Sequence, residues 1–513
     1  MFIRVNTGAI SGIEAVDVTV EVNVAGGGIG LHIVGLPDNT IKESQERIFS
    51  ALGVNGYSIP TRQIIVNLAP ADVRKEGSGY DLPIAIALLS ALEYIQVENL
   101  DKCMFVGEVG LDGTLQPIKG ALPIAIKARE MGYERLFVPK ENEREAAVVN
   151  KLKVYGVTHL CEVVDCLTGK FPIVPTEVNT REEFYAQQNS YSYDFEDVKG
   201  QENVKRAFEI AAAGGHNIIL VGSPGCGKSM MAKRLPSILP PLSLAESLET
   251  TQIHSVAGKL DKSTSLISVR PFRSPHHTIS DVALVGGGTQ FMPGEICLAH
   301  NGVLFMDELP EFSRQVLETL RQPLEDREIT ISRARYNLTL PCSFMLVASM
   351  NPCPCGYHHH PTHACPCTPA QIQRYMNKIS GPLMDRFDMQ VEVQSVPFED
   401  MAKAPKGEPS AAIRERVVRA RAVQEQRYAA FKGVHCNAQM TSALLHQYAD
   451  PDASGMERLR LAMKKLDLSA RAYDRILKVA RTIADLEGSA NVLEHHIAEA
   501  IGYRNLDRST WIE

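Results

Sequence analysis

The chain has 513 residues, 44% of them hydrophobic and 22% charged, a composition that excludes a disordered, collagenous or coiled-coil protein and suits about three globular domains. No stretch approaches the roughly 20 consecutive apolar residues of a membrane span, and no signal peptide is visible, so we expect a cytoplasmic protein with no membrane association. The net charge of −7, from 53 basic and 60 acidic residues, excludes a uniformly basic coat for nucleic acid.

Strand-like and helix-like segments alternate in the N-terminal region, residues 1–170. Apolar residues at every second position are typical of a half-buried strand, whereas apolar residues three and four positions apart are typical of a helix. We predict strands over 16–22 and 62–68 and helices over 44–52 and 82–92. The proline-containing segment that follows, together with a polar run, predicts a linker over 171–193.

A phosphate-binding loop opens the second region, residues 194–400. The apolar run 217–221 predicts a buried strand, and the pattern G-x-x-x-x-G-K-S follows it at once, as Gly222, Ser223, Pro224, Gly225, Cys226, Gly227, Lys228 and Ser229. In such a loop the glycines let backbone N–H groups point at phosphates, the lysine contacts the β- and γ-phosphates, and the hydroxyl binds Mg²⁺. The sequence therefore predicts ATP and Mg²⁺ as cofactors, with a helix over 230–235 after the loop.

Polar residues at two strand ends extend the predicted site. An apolar run ends in Asp307 and Glu308, and a carboxylate at the C-terminal end of a parallel strand lies beside the phosphate loop. We expect Asp307 to hold Mg²⁺ through water and Glu308 to polarise the attacking water. Asn351 follows a strand predicted over 343–349, where its amide can reach the γ-phosphate and orient water.

An arginine farther along the chain is a candidate for a neighbouring subunit's site. Arg386 suits insertion beside the γ-phosphate of a neighbour, where it would stabilise negative charge. The alternative is a structural ion pair with Asp385 or Asp388, which lie beside it in the sequence.

Four of the 11 cysteines crowd into one short segment as two C-x-C pairs, Cys353, Cys355, Cys365 and Cys367. In a chain without a visible export signal, such a cluster favours metal binding over disulfides. Four thiolates suit tetrahedral Zn²⁺ and could close a loop too small for its own core. A redox loop or a metal-free loop is the alternative, and we expect the histidines between the pairs to be solvated.

The C-terminal region, residues 411–513, is predicted to be wholly helical, because proline and glycine are nearly absent from its helix interiors. Five arginines fall within one predicted helix: Arg414, Arg416, Arg419, Arg421 and Arg427. A solvated helix face is the default interpretation, and contact with nucleic acid or another subunit is the alternative.

Together these residues resemble an AAA+ ATPase. Segments 271–277, 293–296, 383–388 and 468–472 narrow the resemblance to the magnesium-chelatase branch, and segments 35–37 and 67–72 narrow it to the ComM (YifB-type) family. The resemblance implies an α/β protein with an N-terminal Lon-protease-like (S5-type) α+β domain over 1–170, a central AAA+ P-loop NTPase αβα domain over 194–400 and a C-terminal helical lid over 411–513. It covers essentially the whole chain.

The resemblance also implies roles and an activity. Lys228, Asp307 and Glu308 would act with Asn351 as sensor 1, Arg386 as arginine finger and Arg471 as sensor 2. The implied protein is a homo-hexameric ring that hydrolyses ATP to drive helicase or branch-migration activity on single-stranded or branched DNA, in homologous recombination or natural transformation. The alternatives are a magnesium-chelatase-like ATPase acting with a protein partner and an ATP-dependent protease.

A hairpin before Asn351 carries the predicted DNA contacts. Strands predicted over 328–331 and 336–340 flank a turn with Arg333 and Arg335. In related motors such hairpins line the pore of the ring, where basic tips can grip phosphates. A surface hairpin with solvated arginines is the alternative.

The Lon-like region departs from its family at the catalytic pair. Lon-type proteases attack with a serine that a lysine activates. Here Asp81 stands at the position that we align with the serine, and Leu122 at that of the lysine. Ser78 and Lys119 lie nearby but are displaced along the chain, and a dyad must meet at hydrogen-bond distance. We predict a scaffold without protease activity.

Overall fold

The computed structural model describes residues 2–25, 30–288, 291–333, 336–358, 360, 362–395, 405–466 and 468–504. The chain forms two compact units. Unit 1 comprises Met1–Gln187, Ser243–Ser268 and Gly288–Pro293, and unit 2 comprises Gln188–Leu242, Val269–Gly287 and Gly294–Glu513.

The strands, in chain order, are β1 (Phe2–Ser11), β2 (Glu14–Ala25), β3 (Gly30–Val34), β4 (Gln63–Ala69), β5 (Cys103–Phe105), β6 (Glu108–Val109), β7 (Leu115–Gln116), β8 (Arg135–Pro139), β9 (Lys153–Val157), β10 (Ile218–Val221), β11 (Phe272–Arg273), β12 (Val303–Met306), β13 (Glu328–Arg333), β14 (Tyr336–Pro341), β15 (Met345–Met350) and β16 (Met389–Glu392).

The α-helices, in chain order, are α1 (Asn39–Val54), α2 (Asp81–Ala91), α3 (Ala121–Glu130), α4 (Glu143–Ala146), α5 (Leu160–Leu167), α6 (Thr180–Gln187), α7 (Glu202–Gly214), α8 (Lys228–Ala232), α9 (Leu244–Val256), α10 (Asp281–Val285), α11 (Glu295–Leu298), α12 (Arg314–Thr319), α13 (Arg321–Asp326), α14 (Pro369–Met376), α15 (Gly381–Met384), α16 (Ser410–Tyr428), α17 (Ser442–Tyr448), α18 (Ala453–Leu466), α19 (Ala470–Glu487) and α20 (Glu494–Gly502).

The main sheet of unit 1 has seven strands within the described residues, in the order β3-β4-β2-β1-β5-β8-β9. The pairs β1–β2 and β2–β4 are antiparallel, and the remaining neighbours are parallel. Apart from Asp81 and Ser90, helix α2 is apolar on all sides, and it is buried along its whole length, as a helix of that composition must be. It packs on β1 and β2. The elements predicted over 16–22, 62–68 and 82–92 are confirmed. The helix predicted over 44–52 lies within the longer α1, which Asp38 caps earlier.

Unit 1 also holds residues that lie far along the chain. Segment Ser243–Ser268 contributes α9, which packs on α3. The Arg144 side chain donates to the Ser263 carbonyl at 3.2 Å and to both carboxylate oxygens of Glu183 at 2.9 Å. Glu183 lies in α6, and the neighbouring Phe184 is buried, so part of the predicted linker is an ordered helix with its own apolar anchor.

The sheet of unit 2 is entirely parallel, with five strands in the described part of the chain in the order β11-β12-β15-β10-β16. The carboxyl ends of β10, β12 and β15 therefore meet at one edge, where ligand sites of parallel sheets lie. One hydrophobic core joins this sheet to the C-terminal helices, with Ile218, Phe305 and Leu477 among its buried members. Helix α8 ends earlier than predicted, and a 3₁₀ turn with Pro236 follows it.

These observations confirm the α/β class, with a parallel sheet in unit 2 and a helical C-terminal region. Among the described helices, none combines the length and the apolarity that crossing a membrane requires. The domain boundaries drawn from the sequence stay predictions.

Candidate nucleotide site and cysteine cluster

The phosphate-binding loop folds around its own lysine. β10 is fully buried and leads into the loop, where Gly225 and Gly227 have φ of +79° and +91°, a region that favours glycine. Lys228, 9% exposed, begins α8. Its Nζ donates to the carbonyls of Gly222 at 2.7 Å and Ser223 at 2.9 Å, and to Oδ1 of Asn351 at 3.3 Å. The ammonium group therefore connects the loop to the end of β15.

A hydroxyl and a carboxylate form the second contact across this edge. The Ser229 hydroxyl donates to Oδ2 of Asp307 at 2.7 Å, and the Ser349 hydroxyl donates to Oδ1 of the same carboxylate. Hydroxyl and carboxylate oxygens are the hard ligands that Mg²⁺ prefers. Ser349 was missed by the sequence reasoning, although its position near the end of a predicted strand beside β12 is a signal that could have found it.

Glu308 is held in an unusual backbone conformation next to Asp307. Its φ is +54°, and its N–H lies 3.2 Å from Oδ1 of Asp307. The Glu308 side chain is 59% exposed, and Nδ1 of His277 lies 3.7 Å from Oε2 of Glu308. Left-handed backbone at a residue other than glycine is often found at functional sites. No local pattern points to His277 as a neighbour of Glu308, because the two lie on different segments of unit 2.

Arg386, predicted as the arginine finger, and Arg471, predicted as sensor 2, both bind carboxylates within the described residues. Arg386 pairs with Glu325, and Arg471 donates to Asp385 at 2.8 Å. Asp388 pairs with Arg475 at 2.5 Å. Arg386 therefore forms an ion pair within its own chain, as the structural alternative expected, but the partners named in that alternative are wrong. Asp385 and Asp388 bind arginines of α19 instead.

Asp388 anchors the segment that carries Arg386. It is 1% exposed and accepts hydrogen bonds from Arg475 and from the backbone N–H of Asn217, and its Oδ2 lies 3.3 Å from Nδ1 of His216. Burial would by itself raise the pKa of Asp388, but the charge of Arg475 and the hydrogen bond with His216 outweigh it and hold the pKa well below its usual range. The start of β10, the arginine segment and α19 thus share one buried ion pair.

The predicted hairpin is confirmed as an antiparallel pair, β13 and β14, with Arg333 opposite Tyr336. The Arg333 side chain is exposed, and Arg335 lies outside the described residues. The base of the hairpin is anchored by the buried side chains of Ile329, Ile331 and Leu340.

The four cysteines Cys353, Cys355, Cys365 and Cys367 meet, with all Sγ atoms within 4.8 Å of one another. Three of the separations are 3.3, 3.5 and 3.7 Å. Ligands about 2.3 Å from a tetrahedral zinc ion lie about 3.8 Å apart, whereas a disulfide bond is about 2 Å long. All four are free cysteines, and no histidine belongs to this cluster among the described residues. The set fits a zinc ion.

The cysteine loop also contacts the phosphate-binding loop. A Cβ added to Gly356 would lie 2.5 Å from Cδ of Pro224, so the two loops touch here. A cavity of about 230 Å³ is lined by residues of both loops, among them Ser223, Gly356, His358 and His360.

Three family profiles match the chain in sequence order. "Magnesium chelatase, subunit ChlI" matches residues 194–401, "Subunit ChlI of Mg-chelatase" matches residues 20–142, and "Magnesium chelatase, subunit ChlI C-terminal" matches residues 407–504.

Relatives match over nearly the whole length. YifB of Salmonella typhimurium is 43% identical over 508 residues, which cover 98% of this chain and 97% of the relative. Competence protein ComM of Haemophilus influenzae is 43% identical over 506 residues, with the same coverage. The chain belongs to the ComM/YifB family. As a member of this magnesium-chelatase-like AAA+ group it is an ATPase that uses ATP and Mg²⁺.

The N-terminal region of this ComM/YifB member is also similar to Lon protease of Finegoldia magna, 28% identical over 173 residues that cover 31% of this chain and 22% of the relative. Asp81 is fully buried and pairs with Arg47 at 2.8 Å, and Leu122 is fully buried. The Ser78 hydroxyl donates to Glu108, whereas Nζ of Lys119 lies 3.9 Å from Sδ of Met292. These contacts form no serine–lysine pair among the described residues.

The arginine-rich helix of the C-terminal region is α16, as predicted. Its arginines bind other parts of unit 2: Arg414 donates to the Ser237 carbonyl at 3.0 Å, Arg421 to the Ala212 carbonyl at 2.8 Å, Arg416 to Glu209 at 2.5 Å and Arg427 to Asp485 at 2.8 Å. The default interpretation of a solvated face is wrong for these four, because they attach α16 to its own unit.

Proposed function

We propose that this protein is a hexameric motor that hydrolyses ATP to move branched DNA, with a role in homologous recombination or natural transformation. Support comes from the carboxyl edge of the unit 2 sheet, where Lys228 contacts Asn351 and Ser229 contacts Asp307. Further support comes from a family that includes a competence protein. ATP supplies the phosphoanhydride bond that is broken. Lys228 binds its phosphates, and Ser229 and Asp307 hold Mg²⁺.

Glu308 and Asn351 act on the attacking water in this proposal. The exposed Glu308 carboxylate polarises the water, and the Asn351 amide orients it close to the lysine. An acid that acts in this way is needed for hydrolysis but not for ATP binding.

Arg386 acts at the interface between subunits of the ring, and Arg471 acts from the C-terminal lid. We infer that Arg386 reaches the γ-phosphate of a neighbouring subunit and that Arg471 acts as sensor 2 over its own nucleotide. Mixing Arg386→Ala subunits with Lys228→Ala subunits then restores part of the ATPase activity, because some interfaces regain both groups. A mixture that stays inactive, although rings form and exchange subunits, contradicts action in trans.

Arg333 and Arg335 supply the DNA contact. Six hairpins would bring their arginines to one pore, which compensates for a chain whose net charge is −7. Binding through phosphates releases counterions, so affinity for DNA falls steeply as salt rises.

The deciding experiment measures ATPase activity with single-stranded, duplex and four-way DNA. We expect stimulation in the wild type and none in the double variant Arg333→Ala/Arg335→Ala. The matched control is Arg458→Ala/Arg460→Ala, which removes two exposed arginines from α18 and keeps the stimulation. Full stimulation of the hairpin variant refutes the hairpin as the DNA contact.

A second function competes with this one. The profile match to a magnesium chelatase subunit over 194–401 favours an ATPase that remodels a protein partner. A wild-type protein that neither binds DNA nor is stimulated by it would favour this alternative over the DNA motor.

Three further assignments complete the proposal. We propose a structural Zn²⁺ ion at Cys353, Cys355, Cys365 and Cys367, which would fix the loop that touches Pro224. We also propose that unit 1 is a scaffold without protease activity and that the protein works in the cytoplasm.

A further inference from the structure

The guanidinium group of Arg386 is held by a carboxylate of its own chain. It pairs with Glu325, and the Arg386 side chain is 17% exposed while that of Glu325 is 64% exposed. Nε of Arg386 is buried and has no hydrogen-bond partner among the described residues. A buried donor without an acceptor is unfavourable, so the present position of this side chain leaves its hydrogen-bonding capacity incomplete.

The backbone of Arg386 is anchored independently of Glu325. The Asn217 side chain donates to the Arg386 carbonyl at 3.1 Å, and the flanking Asp385 and Asp388 bind Arg471 and Arg475. The ion pair with Glu325 therefore governs where the guanidinium group lies, not where the segment lies. Because Glu325 is largely exposed, this ion pair is weak, and a phosphate group can compete with it.

Glu325 is tied closely to the hairpin. It lies in α13, which ends at Asp326. Arg327 caps this helix with a φ of +58°, and β13 begins at the next residue, Glu328. The Cys342 N–H donates to the Arg327 carbonyl at 2.8 Å, which closes the base of the hairpin. A displacement of the hairpin is thus transmitted to Glu325 through very few backbone bonds.

We propose that Glu325 is a positioning residue that withholds Arg386 from the neighbouring subunit until DNA displaces the hairpin β13–β14. Movement of α13 then releases the guanidinium group, which exchanges one exposed carboxylate for the γ-phosphate of the neighbour. This inference rests on the proposed role of Arg386 and assigns a function to a residue outside the nucleotide site. It explains how DNA in the pore could stimulate hydrolysis at a subunit interface.

The test compares the ATPase activity of Glu325→Gln and wild type, with and without single-stranded DNA. The glutamine keeps the size of the side chain and removes its charge, so DNA-free activity rises by about two- to fivefold, the factor that an exposed ion pair is worth. Stimulation by DNA falls by the same factor, because the released state is already populated. Glu325→Asp keeps the charge and stays close to wild type.

The matched control is Glu457→Gln, which breaks an exposed glutamate–arginine pair in α18 and leaves both activities unchanged. Arg386→Ala tests the arginine-finger role of Arg386 separately from the positioning role of Glu325. If Arg386→Ala hydrolyses ATP normally, the assignment of the arginine finger fails. If Arg386→Ala is inactive while Glu325→Gln matches wild type with and without DNA, the finger stands and the role of Glu325 is refuted. Lower activity of Glu325→Gln in both conditions also refutes it, since Glu325 would then support catalysis.

Discussion

Replacing Lys228 by alanine tests the nucleotide site most directly, and the structure sets the expected magnitude. Nζ of Lys228 donates to Gly222, Ser223 and Asn351 at 2.7, 2.9 and 3.3 Å. Binding ATP redirects the two donors that contact Gly222 and Ser223 toward phosphate oxygens. The free energy of binding is therefore the difference between two sets of contacts, not the full value of the new ones.

The loss of affinity in Lys228→Ala is set by that exchange of contacts. Attraction between an ammonium group and a phosphate about 4 Å away is about 4 kcal/mol at an effective dielectric constant of about 20. Each hydrogen bond to a loop carbonyl that Lys228 gives up when ATP binds costs about 2 kcal/mol. For two phosphates and two redirected bonds the net loss is about 4 kcal/mol, which corresponds to an ATP affinity lower by roughly a thousandfold.

The assay is equilibrium binding of a fluorescent ATP analogue, followed by anisotropy. Lys233→Ala is the matched control, because it removes an exposed lysine at the end of the same helix, and we expect its affinity to stay within about twofold of wild type. If Lys228→Ala binds the analogue within about threefold of wild type, a loss of only about 0.7 kcal/mol, the lysine does not hold the phosphates.

Three other outcomes are expected. Glu308→Gln binds ATP with unchanged affinity but hydrolyses it at least about a hundredfold more slowly in a single-turnover assay. Cys365→Ser lowers the zinc content of purified protein. It reduces the rate of hydrolysis by a larger factor than it reduces the affinity for ATP, because the cysteine loop adjoins Asn351. Burial raises the pKa of Asp81 from 3.8 to about 6. The contribution of this group to the free energy of unfolding is therefore fully present below about pH 4 and is lost as the pH rises through about 6. Asp81→Asn removes that component of the pH dependence of the urea midpoint.

Local sequence was sufficient for the parts of the site that lie on one continuous segment. The loop from Gly222 to Ser229, the acids Asp307 and Glu308 and the two C-x-C pairs were all visible, because their chemistry depends on spacing along one strand end or one turn. The strands and helices of unit 1 were also predictable, since apolar periodicity records which face is buried.

The charged side chains of α16 show where such reasoning fails. A helix with five arginines is expected to present a solvated face. Four of them instead bind carbonyls and carboxylates elsewhere in unit 2: Arg414, Arg416, Arg421 and Arg427. The helix and most of these partners are separated by about two hundred residues, so no periodicity within α16 could reveal them.

The partners of Arg386 were decided by tertiary structure in the same way. Asp385 and Asp388 lie beside it in the sequence, but in the folded chain they form ion pairs with Arg471 and Arg475. Arg386 pairs with Glu325 instead. Residues adjacent on a chain need not face one another, whereas packing of α13, α15 and α19 brings distant side chains within hydrogen-bond distance. The sequence thus determined which chemical groups the site contains. Tertiary packing decided which group each charge binds, because the distance between charges is set by how the elements pack.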